Sequence, residues 1–105
     1  MPMRYQLALQ FPATSISDYD EMILMEDALR KVLASVAKVD GHDCGSGEMN
    51  IFIYTDEPEN VFEIIKKALA QYKSFSHLVA AFRERTGEQY KVLWPVGYEK
   101  PFQIK

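Results

Sequence analysis

The spacing of apolar and polar residues predicts a strand followed by two amphipathic helices. Residues 4–11, RYQLALQF, alternate between apolar and polar side chains, which is the pattern of a half-buried strand. Apolar residues then recur every three or four positions over residues 18–36, so we predict a helix there, with Ser17 as its N-cap. A second apolar stripe begins after an expected cap at Asp56 and ends near Lys73.

The remaining apolar runs predict four further strands. KVDGHD, residues 38–43, is a short polar candidate, whereas EMNIFIYT, residues 48–55, is a strong one. HLVAAFRE, residues 77–84, and YKVLWP, residues 90–95, flank a Thr-Gly pair that indicates a hairpin turn. No regular structure is expected in the tail of residues 96–105.

The resulting order, β-α-β-β-α-β-β, predicts the fold class. Its first six elements match the ferredoxin-like split βαβ pattern, an α+β sandwich with two helices on one face of an antiparallel sheet. The expected strand order is 4-1-3-2, and the last strand extends the edge beside strand 4. We find no linker or repeat, and therefore predict that residues 1–105 form a single domain.

Such a sandwich leaves one sheet face without helices. In strand 1 the apolar set, from Tyr5 to Phe11, is expected to face the helices. The open face is then expected to carry Gln6, Ala8, Gln10, Asn50, Phe52 and Tyr54. This surface is too apolar to be inert. We predict that it binds a protein partner or a second copy of the chain as a homodimer, with coverage by the C-terminal tail as the competing possibility.

An RNA-binding role for this face is a weaker interpretation. RNA-recognition domains share the element order and stack bases on aromatic residues of strands 1 and 3. Phe52 and Tyr54 have the required spacing, but Gln6, Ala8 and Gln10 place no aromatic residue on strand 1. A formal net charge of −3 also disfavours phosphate binding, so no nucleic-acid partner is predicted.

Composition indicates an ordinary globular protein. Hydrophobic residues make up 48% of the 105 residues and charged residues 26%. A single cysteine excludes an intrachain disulfide and favours a reducing compartment. The N-terminal run is too short and too polar for a signal peptide or a membrane-spanning helix. We therefore expect a cytoplasmic protein with no membrane partner.

The stretch DGHDCGSGE concentrates the candidate chemistry of the chain. If strand 2 extends to residue 44, then Asp40, His42 and Cys44 project to one side of the sheet. A histidine could activate the thiol there, and a carboxylate could orient the imidazole. However, neighbours on one strand run parallel instead of converging, so no catalytic residue is assigned. The candidate ligand or loop site consists of Asp40, His42, Asp43, Cys44 and Glu48.

Other roles for this stretch are less well supported. Zinc usually needs four ligands in two pairs, and the stretch supplies one pair, so no metal or cofactor is predicted. A phosphate-binding loop normally opens a helix, whereas this one opens a strand. We instead predict that Gly45, Ser46 and Gly47 form a tight turn, with glycines supplying positive φ angles, and that Gly41 marks a β-bulge.

The run GHDCGSGEMNIFIYTDEP, residues 41–58, resembles a segment of small uncharacterised bacterial proteins. This resemblance implies a shared fold and brings no known activity. In size and acidic character the chain is also similar to immunity proteins that neutralise toxins. We therefore expect a non-enzymatic interaction or regulatory module, with immunity-like binding as one form. The alternative is a small enzyme or ligand-binding domain with a site around His42, Cys44 and Glu48, completed by His77, Tyr54 or Trp94.

Overall fold

The computed structural model describes residues 3–13 and 15–104. Its elements are β1 (Tyr5–Pro12), α1 (Ile16–Val32), β2 (Lys38–Gly45), β3 (Glu48–Thr55), α2 (Pro58–Leu69), a 3₁₀ helix (Lys73–His77), β4 (Val79–Glu84) and β5 (Lys91–Trp94). All neighbouring strands are antiparallel, and the sheet order is β2-β3-β1-β4-β5. The predicted α+β sandwich, with an extra strand beside β4, is confirmed. Within the described residues, no helix has the length and apolar character needed to cross a membrane.

The hydrophobic core lies between the helices and one face of the sheet. Leu7, Leu9 and Phe11 of β1 are completely buried, as the alternation predicts. Their neighbours on β3, Ile51 and Ile53, are buried on the same face because directly paired residues of antiparallel strands share a face. The helices supply the other side of the core through Met22, Met25, Leu29, Val61, Phe62, Ile65 and Leu69.

Helix α1 begins and ends earlier than its sequence pattern predicts. Its N-cap is Ser15, whose hydroxyl accepts a hydrogen bond from the backbone N–H of Asp18 at 3.2 Å. The predicted cap, Ser17, lies inside the helix, so that prediction is wrong by two residues. The helix ends at Val32, and the chain continues in turns to Val36. Leu33, the first residue of this turn, is completely buried in the core, whereas Val36, the last residue of the predicted stripe, is exposed.

Helix α2 is fixed at its start by a contact to β1 and by a proline. The predicted cap, Asp56, instead accepts a hydrogen bond from the backbone N–H of Arg4 at 2.9 Å, so the capping prediction is wrong. Pro58 occupies the first turn, where its fixed φ suits a helix and its missing N–H costs nothing. The helix ends at Leu69, and the 3₁₀ helix Lys73–His77, which sequence did not predict, leads to β4.

The connection between β2 and β3 is a two-residue turn. Ser46 has φ 52° and Gly47 has φ 78°, so both central residues are left-handed, as in type I′ hairpins. The predicted tight turn is present, but Ser46, not Gly45, adopts the first positive φ. The predicted bulge is also present. The pairing of β2 with β3 passes from Val39 directly to Gly41, which leaves Asp40 as the extra residue.

Candidate functional site

His42 forms a polar cluster with α1 on the helix side of the sheet. It lies opposite Ile51 in the β2–β3 pairing, which places it on the core face. Its Nδ1 atom is 3.1 Å from Oε2 and 3.3 Å from Oε1 of Glu26. The ring of Tyr19 meets the imidazole edge-to-face at a centroid distance of 6.1 Å. An ionised carboxylate only accepts hydrogen bonds, so a hydrogen bond to ionised Glu26 requires the His42 tautomer with its hydrogen on Nδ1.

Glu26 is the buried member of the cluster. Only 8% of its side chain is exposed, and its second partner is Arg30, with Nη2 at 3.8 Å from Oε1. Arg30 also donates from Nη1 to the carbonyl of Val39 at 2.8 Å, so it ties α1 to the edge strand β2. A buried carboxylate needs such partners because desolvation otherwise makes its charge costly. Sequence reasoning missed Glu26, although a signal existed, since it occupies the apolar stripe of α1 between Met22 and Leu29.

Cys44 lies on the same face as His42 but lacks the electrostatics of a nucleophile. It pairs with Met49 and is exposed. Burial of the thiol, followed by the negative charge of Asp43, raises the pKa of Cys44 above its ordinary value. Reactive cysteines have lowered pKa values and positively charged surroundings. The arrangement around Cys44 therefore disfavours thiolate formation at neutral pH.

The predicted loop site is divided between the two sheet faces. Asp43 pairs with Asn50, which places it on the open face, away from His42 and Cys44. Asp40 falls at the bulge and is out of step with the alternation that His42 and Cys44 follow, so the expected three-residue row is not formed. Glu48 is half-buried beside the turn, opposite Gly45 and Pro12.

The residues expected to complete an enzymatic site make their contacts in other parts of the molecule. Trp94 packs on Phe62 and Phe75, both at centroid distances of 6.2 Å. His77 ends the 3₁₀ helix and lines a depression of about 260 Å³ near Pro12. Tyr54 points to the opposite face from His42. Across residues 3–13 and 15–104, no group of three or more His, Cys, Asp or Glu side chains is placed to hold a metal ion.

One half of the open face is covered by the chain's own C-terminal segment. Ala8 is completely buried although no helix covers it. The side-chain amide of Gln10 donates to Asn50 at 3.1 Å and to the carbonyl of Gln103 at 2.9 Å. These bonds use both hydrogens of the amide nitrogen, so they can form together. Only 2% of Asn50 is exposed, and the bond from Gln10 satisfies its buried side-chain oxygen.

Tyr90 provides the second anchor of this segment. Its hydroxyl donates to the side-chain oxygen of Gln6 at 3.0 Å, and its ring packs on Phe102 at 4.9 Å between centroids. Ala8 and Ala81 face each other between these anchors, and their small side chains allow the C-terminal segment to approach the sheet. Phe102 and Gln103 of the C-terminal segment therefore cover the face over β1 and β4, the competing possibility that the sequence left open.

The other half of the open face, over β2 and β3, remains partly exposed. We call it the β3 patch, and it consists of Lys38, Gly41, Phe52, Tyr54 and Arg85. Phe52 and Tyr54 are half-buried, and their partners on β2 are Gly41 and Lys38. A glycine opposite Phe52 leaves open space beside the ring, since a Cβ atom at position 41 would meet nothing within 4 Å. The guanidinium of Arg85 stacks over the Tyr54 ring at 4.3 Å, a cation–π contact.

Comparison with known proteins gives no functional assignment. A scan against protein-family models yields no match to the chain, and searches of curated proteins and of solved structures yield none. The candidate sites are therefore two features of the molecule, the His42 cluster and the β3 patch.

Proposed function

We propose that this protein is a non-enzymatic interaction module that binds another protein through the β3 patch. The observation that carries the proposal is the stack of Arg85 on Tyr54 beside Phe52, on a sheet face that no helix covers. Tyrosine and arginine are the residues most enriched among the few that dominate binding energy at protein interfaces. Tyr54 lies on β3 and Arg85 is held against it by a hydrogen bond to the carbonyl of Met3, and this order before binding lowers the entropy cost of binding.

The chemistry of the other candidate site supports the same proposal. The His42–Glu26 pair joins α1 to β2, and the raised pKa of Cys44 opposes its use as a nucleophile. Binding that regulates or neutralises a partner, as immunity-like proteins do, is the form of activity we propose. A bacterial cytoplasm is the setting we propose for it, in line with the single cysteine.

The C-terminal segment reduces the area of the open face that a homodimer could bury. Ala8 and Asn50, two of the six residues expected at such an interface, are buried within one chain, so they contribute no area to a second copy. The part of the open face left for a partner is the β3 patch. We therefore propose a different protein as the partner and treat self-association as an outcome to be measured.

A random peptide library displayed on phage tests the proposal. We expect enriched peptides to shift the amide NMR signals of Phe52, Tyr54 and Arg85. Tyr54→Ala is expected to weaken their binding by about 30-fold, the loss typical of an interface hot spot. Leu24→Ala is the matched control, since Leu24 is an exposed apolar residue of α1. Failure to enrich any peptide, or peptides that map to α1, would contradict the proposal.

A further inference from the structure

Two cationic side chains lie beside Tyr54 on the open face, and a third lies one strand further away. Lys38 is the register partner of Tyr54 on β2, and Arg85 stacks on the Tyr54 ring. Arg83 lies opposite Gln6 on the far side of β1, and its guanidinium packs over the Tyr90 ring at 5.6 Å from the ring centroid. In the part of the chain that the structure describes, none of these three cations forms an ion pair with a carboxylate.

The hydrogen bonds that these cations make leave their charge uncompensated. Arg83 donates from Nη1 to the backbone carbonyls of Glu84, Arg85 and Gly87, at 3.3, 3.1 and 2.8 Å. Arg85 donates from Nη1 to the carbonyl of Met3 at 3.3 Å. These acceptors are neutral, so they fix the guanidinium groups without cancelling their charge. The described residues therefore leave these cations without a carboxylate partner, on a chain whose formal net charge is −3.

We infer, on the basis of the proposed function, that the partner presents an acidic segment with an apolar or aromatic anchor. Its carboxylates would pair with Lys38 and Arg85, and its anchor would fill the space beside Phe52 that Gly41 leaves open. A charged guanidinium that is held in place by other bonds is a strong donor to a carboxylate. Complementary charge of this kind selects a partner and speeds its association.

A single-stranded nucleic acid would also supply negative charge, but it fits the patch less well. Base stacking needs free ring faces on neighbouring strands. Arg85 already occupies one face of Tyr54, and β1 contributes only Gln6 and Ala8 opposite the two rings. The overall negative charge opposes binding to a phosphate backbone. An acidic protein segment is therefore the occupant that the structure favours.

The net charge of the peptides enriched on the β3 patch tests this inference. We expect the enriched peptides to be rich in Asp and Glu beside an aromatic or aliphatic residue. Replacing the acids of the best peptide by amides is expected to weaken binding in fluorescence anisotropy, and added salt is expected to do the same. Lys38→Gln is expected to reduce affinity about two- to fivefold, the range of an exposed charge pair. Lys67→Gln, a change of an exposed lysine on α2, is the matched control and is expected to leave affinity unchanged.

The other outcomes separate this inference from the proposed function. If neutral or basic peptides are enriched and still map to the patch, the acidic partner is refuted while the interaction module stands. If no peptide maps to the patch, the proposed function is refuted, and the acidic partner is refuted with it. A single-stranded RNA of mixed sequence serves as the third probe. RNA that binds more tightly than the acidic peptide and shifts Phe52 and Tyr54 would overturn the inference in favour of a nucleic acid.

Discussion

Truncation of His42 is the most direct way to measure what holds α1 against the edge strand β2. In His42→Ala the carboxylate of Glu26, with only 8% of its side chain exposed, keeps one charged partner, Arg30 at 3.8 Å. A hydrogen bond to a charged group contributes about 1.5–3 kcal/mol. We therefore expect the free energy of unfolding to fall by about 2 kcal/mol. For a domain of this size such a loss lowers the melting temperature by roughly 10 °C.

Removal of Glu26, the other member of the pair, is expected to lower the free energy of unfolding by a smaller amount. In Glu26→Met the imidazole of His42, which is 30% exposed, can bond to water, so we expect a loss below about 1 kcal/mol. Methionine also keeps the helix propensity and fills the buried volume. In the double variant, His42→Ala with Glu26→Met, neither side chain is left without its partner. The loss in free energy of unfolding is therefore expected to be well below the sum of the two single losses.

Urea unfolding followed by circular dichroism measures the loss in free energy of unfolding for each single variant and for the double variant. Asp43→Ala is the matched control, because Asp43 is an exposed neighbour of His42 on the opposite face, and we expect it to stay within about 0.5 kcal/mol of the parent. His42→Gln keeps a donor and is expected to recover part of the loss. Additive single losses, or a His42→Ala variant as stable as the parent, would refute the reasoning.

Two further predictions concern the thiol and the C-terminal segment. We expect Cys44 to react with iodoacetamide more slowly at neutral pH than a free cysteine, because burial and the charge of Asp43 raise the pKa of its thiol. Asp43→Asn is expected to speed the reaction. A rate for the parent protein above that of free cysteine would contradict the prediction. Deletion of residues 102–105 removes the contacts of Phe102 and Gln103 and uncovers Ala8. By light scattering we expect the full chain to be monomeric and the truncated chain to self-associate as its concentration rises. A full chain that is dimeric and unaffected by the deletion would restore the open-face dimer.

The fold was predictable from sequence because two of its central strands, β1 and β3, each carry a regular apolar set. In β1 and β3 every second side chain is large and apolar, and the pairing of Leu7 with Ile53 and of Leu9 with Ile51 places them all on one face. A shift of one residue would expose the whole set, so the pattern specifies the register as well as the strand. The order of helices and strands then leaves few ways to cover that face.

The candidate site was less predictable because its partners come from distant positions. Glu26 and His42 lie on different elements, and only the packing of α1 across β2 brings them together. The bulge at Asp40 changes which residues of β2 share a face, and no local pattern fixes the exact position of such an insertion. Coverage of Ala8 by the C-terminal segment depends on the backbone carbonyl of Gln103 and the ring of Phe102, which belong to an irregular tail.

Folding and the proposed binding are carried by alternate residues of the same strand. Ile51 and Ile53 of β3 are completely buried in the core, while Phe52 and Tyr54, between and after them, are only half-buried on the other face. Truncation of a core residue of this kind costs about 2–5 kcal/mol, enough to threaten a small domain. Truncation on the β3 patch removes less buried area and leaves the core intact, so it can change binding while the protein stays folded. Loss of peptide binding in Tyr54→Ala, with unfolding close to that of the parent, can therefore be assigned to the patch itself.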